Sequence, residues 1–196
     1  MSSETLTLDN AMAAASVCWW LLMAVWLILV FSIKRAKQRE TGVERLQHII
    51  PVAIGFWLLF GSKPHWAGLR FQLLPQAPNI WLTGLLVTAL GVAIAIWARL
   101  SLGANWSGSV TLKSDHELIR RGLYRWIRHP IYSGILLGMI GTAVIRGNLR
   151  ALLGILVVWA SFYFKARREE RFLKQEFGTD FDEHARHTGM FLPRFS

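Results

Sequence analysis

The sequence predicts an all-α fold: an integral membrane bundle of five transmembrane helices, with a polar loop and a charged C-terminal tail on one aqueous side. Three observations predict it. Apolar runs long enough to enter a bilayer recur along the 196 residues, 53% of which are hydrophobic. Only 17% are charged, against about 25% in an ordinary soluble domain, so the polar surface that would cover a globule of this size is missing. Lys and Arg, finally, gather in alternate connecting segments.

Ala11 to Ile33 is uncharged over 23 residues, and about 20 suffice to cross roughly 30 Å of hydrocarbon. An acidic Met1 to Asn10 precedes this run and Lys34 and Arg35 end it, the reverse of a cleaved signal peptide, so a retained anchor is expected. The second span, 46–61, contains Pro51, which a membrane helix tolerates where a neighbour satisfies the freed carbonyl. Pro75, Pro78 and Asn79 mark a loop. Residues 80–100 form the third span, with Trp81 and Trp97 near its ends, where indole rings favour the interface. From Ser101 to Arg128 the chain is polar and basic, with Gly103, Gly108 and Gly122, and reads as an ordered loop outside the bilayer. Spans four and five, 129–145 and 149–166, are short apolar runs folded about Arg146, Gly147 and Asn148 into an antiparallel hairpin. Snorkelling of Arg146 and Arg150, heads in water, lengthens them. Glu169 to Lys174 continues the fifth helix, Gly178 stops it, and the remaining tail is aqueous. No repeat or second domain is visible, so residues 1–196 form a single membrane domain.

The net charge of +10 would suit a nucleic-acid partner if position did not decide otherwise. Segments 34–45, 99–128 and 165–196 hold eighteen Lys and Arg, whereas 62–79 and 146–150 hold four. Five spans put the first three segments on one face, which the positive-inside rule makes cytosolic, with the N-terminus outside. The expected setting is a multi-pass protein of a bacterial inner membrane with a cytosolic C-terminus, its partner the lipid bilayer and not nucleic acid.

Chemistry is expected at the cytosolic mouth. A hairpin about Gly147 puts His129 18 residues before the turn and Glu169 22 after it, about 6 Å apart in height at 1.5 Å per residue, so both can share one pocket. Pro130 suits a first helical turn. A helix opening there offers unsatisfied amides and a positive dipole end, with His129 and Tyr132 as donors, where an anionic or zwitterionic group can dock. The same features also suit an interfacial cap. Glu169 and Glu170 sit among Lys165, Arg167, Arg168, Arg171 and Lys174, and the four-residue spacings Lys165 to Glu169 and Glu170 to Lys174 also fit plain surface ion pairs. His184 and His187 are three apart, but no Cys or second His pair supports them, and no metal is expected. Cys18 lies in the first span without a partner, which excludes a disulfide framework and reads as packing. No G-x-G-x-x-G after a strand, Walker loop or Ser-His-Asp pattern is present, so the common soluble nucleotide folds are not indicated.

The run R-H-P-x-Y-x-G at Arg128, His129, Pro130, Tyr132 and Gly134, followed after a hydrophobic hairpin by Glu169-Glu170, resembles the isoprenylcysteine carboxyl methyltransferase family and its bacterial relatives. The likeness covers 99–195. It includes a lead-in H-x-L-x-x-x-G-x-Y at His116, Leu118, Gly122 and Tyr124, and continues through Leu173, Phe177-Gly178 and Leu192-Pro193. The resemblance implies S-adenosyl-L-methionine as cofactor, enclosed by His116, Leu118, Ile119, Tyr124, His129, Pro130, Tyr132 and Glu169. That makes the polar loop a cofactor-binding loop, and it implies methyl transfer to a lipophilic, membrane-associated acceptor. Arg128, Lys165 and Glu170 are the candidate catalytic residues, with Arg128 or Lys165 orienting an anionic acceptor. Eukaryotic members carry Arg at the position of Lys165 and tyrosines at those of Phe181 and His184, and Lys does not reproduce a bidentate Arg.

Methyl transfer from a sulfonium is an in-line displacement that gains most from alignment and exclusion of water. A carboxylate acceptor needs no base. A thiol or amine does, and His184 and Glu170 are its candidates. Three other readings use the same residues: a phospholipid amine or small thiol as acceptor, an NADPH-dependent sterol-type reductase with a positive pocket for the extra phosphate, and a non-catalytic membrane scaffold.

Overall fold

A computed structural model describes residues 6–29, 42–61, 67–103 and 118–194. Among them, six α-helices follow in order: α1 Leu8–Leu29, α2 Gly42–Phe60, α3 Pro78–Leu102, α4 Pro130–Arg146, α5 Leu149–Phe177 and α6 Thr179–His187. Short 3-10 turns lie at Ala67–Arg70 and Gly122–Arg125. α1, α3 and α5 are each long and apolar enough to cross a membrane, and the apolar helices Leu46–Phe60 and Pro130–Arg146 are shorter. The protein is an integral membrane helical protein. Residues 30–41 and 104–117, which include the expected end of the first span and most of the polar loop, lie outside the described residues.

Local chemistry sets the helix boundaries. Pro78 and Pro130 open α3 and α4 where a missing N–H costs nothing. Gly147 ends α4 in the left-handed region (φ 65°), and Asn148 caps α5 by accepting from the Ala151 amide at 3.0 Å. This is the expected hairpin turn, two residues long.

Without a hydrophobic drive between helices in lipid, assembly depends on close packing and interhelical hydrogen bonds. Gly84, Thr88, Gly91 and Ala95 of α3 and Gly134, Gly138, Gly141 and Ile145 of α4 repeat at the same three- and four-residue spacings, giving each helix a narrow face of mostly small residues. The backbones touch there: a β-carbon at Gly91 would lie 2.2 Å from the Gly138 nitrogen, and one at Gly141 2.3 Å from the Thr88 nitrogen. α1 lies across this pair, with Ala11 and Ala15 fully buried. Trp19 donates its indole N–H to Thr142 Oγ1 at 3.0 Å, and Thr142 lies 3.2 Å from Thr88 Oγ1. Both threonines also donate to carbonyls one turn back, Gly138 and Gly84, so the polar atoms of this buried centre are satisfied. α2 packs on α5 through Gly55 and Gly154. Ser161 Oγ reaches the His48 carbonyl at 3.5 Å, a further tie between the two helices.

Two arginines depart from expectation. Arg146 and Arg150 do not extend to water. Arg146 donates to the carbonyls of Leu59 and Phe60 at 3.1 Å, and the buried Arg150 to those of Gly61 and Trp57 at 2.5 and 2.6 Å. The last turn of a helix leaves carbonyls unpaired, and near hydrocarbon a guanidinium fork is a better partner than scarce water. Arg99, counted with the polar loop, is fully buried and donates to the carbonyls of Gly103 and Leu29, tying the end of α1 to that of α3. The tail also holds a helix that was not expected, α6.

Candidate active site

The candidate site forms at the basic end of the bundle, where α4 begins and α5 outruns its apolar stretch. Tyr132, in the first turn of α4, donates its hydroxyl to Glu169 Oε1 at 2.8 Å. His129, just ahead of that helix, lies between two carboxylates: Nδ1 is 3.4 Å from Glu169 Oε2 and Nε2 is 3.3 Å from Glu170 Oε1. Arg128 Nε donates to Glu170 Oε1 at 2.7 Å. The result is a continuous polar chain, Tyr132 to Glu169 to His129 to Glu170 to Arg128. Adjacent residues on a helix diverge by about 100°, and one imidazole bridges this acidic pair because it enters from a second helix end.

Burial pulls the His129 imidazole pKa down, but the carboxylates of Glu169 and Glu170 outweigh it and hold the value above the ordinary one. Glu169 and Glu170 lie beyond the apolar part of α5. Burial pushes both carboxyls up, but His129, with Lys165 and Tyr132 for Glu169 and Arg128 for Glu170, holds them below the usual range. Burial, and after it the charge of Glu169, pushes the Tyr124 hydroxyl up. His184 is lowered by burial and by the charges of Arg120 and Arg128.

A pH dependence follows. With its folded pKa raised, His129 contributes stability that is fully present below its unfolded value near 6.5 and is lost as pH rises through the folded value. Thermal unfolding in detergent between pH 6 and 9 is expected to show the wild type losing this increment on the alkaline side. His129→Gln should flatten that limb. Equal alkaline slopes for both proteins would contradict the assignment.

Aromatic rings close the site. The Tyr132 ring stacks on Phe162 at 4.6 Å and on the His129 imidazole at 5.5 Å. Phe191 lies 6.1 Å from His129 and 6.4 Å from Tyr132. It is carried by a strap, residues 188–194, that pairs with the segment before α4. Arg128 and His129 donate backbone N–H groups to Gly189 and Met190 at 2.8 and 3.1 Å, and Ser133 Oγ donates to the Phe191 carbonyl at 2.6 Å.

The structure brings His129, Tyr132, Glu169 and Glu170 together and places Lys165 Nζ 5.8 Å from the Tyr132 ring centre. Pro130 is buried at the start of α4. Ile119 packs on the cluster of Ala98, Tyr124 and Ile131, which also takes in Tyr132. Leu118, half-buried, precedes it. His116 lies outside the described residues. Arg128, expected to orient an acceptor, is committed elsewhere: besides Glu170 it donates to the carbonyls of Ala185 and Thr188, fastening α6 and the strap to α4. Glu170 is its partner and does not pair with Lys174, which reaches Asp182 at 2.9 Å. His184 is buried in α6, its carbonyl taking the Thr188 hydroxyl.

Sequence reasoning passed over α6 and Phe191. A signal for α6 existed in Gly178-Thr179-Asp180 with Asp182 in the first turn and His184, Arg186 and His187 in the last, a charge order that suits a helix dipole. Phe191 carries no pattern of its own beside Leu192-Pro193.

Fold and site together are those of an integral membrane helical protein with a polar site at one mouth of its bundle, a histidine held between two carboxylates. The family model described as phospholipid methyltransferase matches residues 80–180. A "Probable protein-S-isoprenylcysteine O-methyltransferase" of Oryza sativa subsp. indica is 33% identical over 127 residues, covering 62% of this chain and 66% of that protein. The protein-S-isoprenylcysteine O-methyltransferase of Homo sapiens is 35% identical over 173 residues, covering 84% and 59%. Among solved structures, that of the eukaryotic intramembrane Ras methyltransferase ICMT (isoprenylcysteine carboxyl methyltransferase) matches with a TM-score of 0.52 and 28% identity over 76% of this chain and 54% of that one. The chain belongs to the phospholipid methyltransferase family, and its curated relatives are named as isoprenylcysteine methyltransferases. It spans less than two thirds of the length of these relatives.

Proposed function

We propose that the protein is an S-adenosylmethionine-dependent methyltransferase of the isoprenylcysteine carboxyl methyltransferase type. It acts at the cytosolic face of a bacterial inner membrane, N-terminus outside, on an acceptor partitioned into the bilayer. The observation that carries this reading is the acidic pair gathered by His129 beside the start of α4. Glu169 takes one donor on each oxygen, from Tyr132 and His129, and each oxygen keeps a lone pair. Its side chain is 21% exposed, enough to meet the methionyl ammonium in a charge-assisted contact. α4 opens without a side-chain cap, so its first amides and positive end suit the methionyl carboxylate. Tyr124, Ile119, Tyr132 and Phe191 supply the apolar wall for the remainder.

The cofactor, when bound, supplies an electrophilic methyl group. The chain aligns the reactants and excludes water, with the strap and Phe191 on one side and Lys165 on the acceptor side. Lys165, whose Nζ lies 5.8 Å from the Tyr132 ring centre, is the cation placed to orient an anionic acceptor.

Purified protein supplied with methyl-labelled S-adenosylmethionine and a panel of acceptors tests this reading. The panel comprises a prenylated cysteine free acid, phosphatidylethanolamine and a small thiol. Label should enter the organic phase on the prenylated acid. Oxidation of NADPH with no label in any acceptor would contradict it.

A further inference from the structure

The strap over the site is held at its tip by a side chain that the R-H-P-x-Y-x-G run leaves unspecified. Ser133 stands between Tyr132 and Gly134, and its role follows from where the backbone pairing ahead of α4 has to stop. Gly189 donates its N–H to the Trp126 carbonyl at 3.0 Å, and Ile127 and Gly189 form a parallel bridge. Arg128 and His129 then donate to the Gly189 and Met190 carbonyls, one after the other. The next residue is Pro130, which has no N–H to give, so the run cannot supply a donor to the next strap carbonyl, that of Phe191.

Ser133 supplies it from the first turn of α4. Its Oγ lies 2.6 Å from the Phe191 carbonyl oxygen and 3.1 Å from that of His129. The His129 carbonyl already accepts the Ser133 backbone N–H at 3.1 Å, and a hydroxyl has one proton, which the shorter contact takes. The consequence falls on one ring. Phe191 is the strap residue whose ring faces His129 and Tyr132, whereas its neighbour Leu192 is 78% exposed. Gly189 and Arg194 both return to the Trp126 carbonyl, so the tip between them is fixed by what its own carbonyls meet. A carbonyl without a donor turns toward water, and the ring on the same residue turns with it.

We propose that Ser133 is a positioning residue of the cofactor site: by holding the Phe191 carbonyl where Pro130 interrupts the backbone pairing, it fixes the Phe191 ring as the wall against which the cofactor packs. This rests on the methyltransferase reading and deepens it.

The test uses the full chain in detergent, with hydrogen exchange of the strap amides and calorimetry with S-adenosylhomocysteine. Ser133→Ala should speed exchange at Gly189 and Arg194 and weaken S-adenosylhomocysteine binding, each about fivefold, the scale of one neutral hydrogen bond. Ser133→Thr keeps the hydroxyl and should stay close to wild type in both. Phe191→Ala should bind more weakly still, about tenfold or more, for loss of the ring's buried area. Adding Ser133→Ala to Phe191→Ala should then weaken binding no further, because a residue that acts through another has nothing left to position. Wild-type exchange or wild-type affinity in Ser133→Ala would overturn the proposal. So would Ser133→Thr as impaired as Ser133→Ala, or a double variant whose loss multiplies the two single ones. If S-adenosylhomocysteine does not bind wild type, the methyltransferase reading fails by itself, and the exchange comparison still decides whether Ser133 seats the strap.

Discussion

Glu169→Gln is expected to weaken S-adenosylhomocysteine binding by about 1.5–3 kcal/mol, roughly 10- to 150-fold, the range for a hydrogen bond to a charged group. The substitution keeps the shape and removes the charge. It withdraws the proposed partner of the methionyl ammonium and leaves His129 with one carboxylate in place of two, so the imidazole loses part of what keeps its pKa raised. Glu169→Asp keeps the charge on a shorter stem and should lose less. Glu170→Gln provides the contrast. Glu170 is bound to Arg128, which also grips the carbonyls of Ala185 and Thr188, so its loss should appear mainly as easier unfolding of α6 and the strap. Calorimetry on monodisperse protein separates the two. Unchanged affinity in Glu169→Gln, with the protein folded, would remove Glu169 from the cofactor site.

The second large effect is on assembly. Gly91→Val places a β-carbon 2.2 Å from the Gly138 nitrogen, 2.6 Å from the Gly134 carbonyl oxygen and 2.7 Å from the Gly138 α-carbon. All three are backbone atoms, so no side chain can rotate aside and α3 must separate from α4. Overpacking costs typically 1–3 kcal/mol where side chains can adjust, and here about 3 kcal/mol or more is expected. The apparent Tm in detergent should fall by about 6 °C or more. Gly68→Ala, whose β-carbon would meet nothing within 4 Å, is the control and should shift Tm little. Because His129 and Tyr132 stand at the start of α4, Gly91→Val should also weaken S-adenosylhomocysteine binding without touching the site. A stable Gly91→Val protein with unaltered Tm would show that the two backbones are not in contact.

What the sequence disclosed and what it concealed divide by the range of the interaction. Apolar run length, Pro78 and Pro130 at helix starts and Gly147 and Gly178 at helix ends are local signals, and the spans follow from them. The approach of His129 to Glu169 could be anticipated because a two-residue turn makes α4 and α5 count back from a common origin. No such arithmetic pairs Arg150 with Trp57, which are 93 residues apart. Arg150 reads from sequence as a snorkelling cation until the carbonyls at the end of α2 are known to lie beside it. The partners of Arg128 were hidden for the same reason. A cation next to a motif histidine looks available to a ligand, and only the packing of α6 and the strap shows where its donors go. The glycines of α3 and α4 have the spacing of a close-packed pair, but spacing alone does not say which helix faces which.

The most direct measurement is a calorimetric titration of the purified protein, first with S-adenosylhomocysteine and then with NADPH. Saturable one-to-one binding of S-adenosylhomocysteine, lost in His129→Ala and Glu169→Gln, with no heat from NADPH, is the predicted result. Binding of NADPH alone, or S-adenosylhomocysteine binding indifferent to both substitutions, would contradict it.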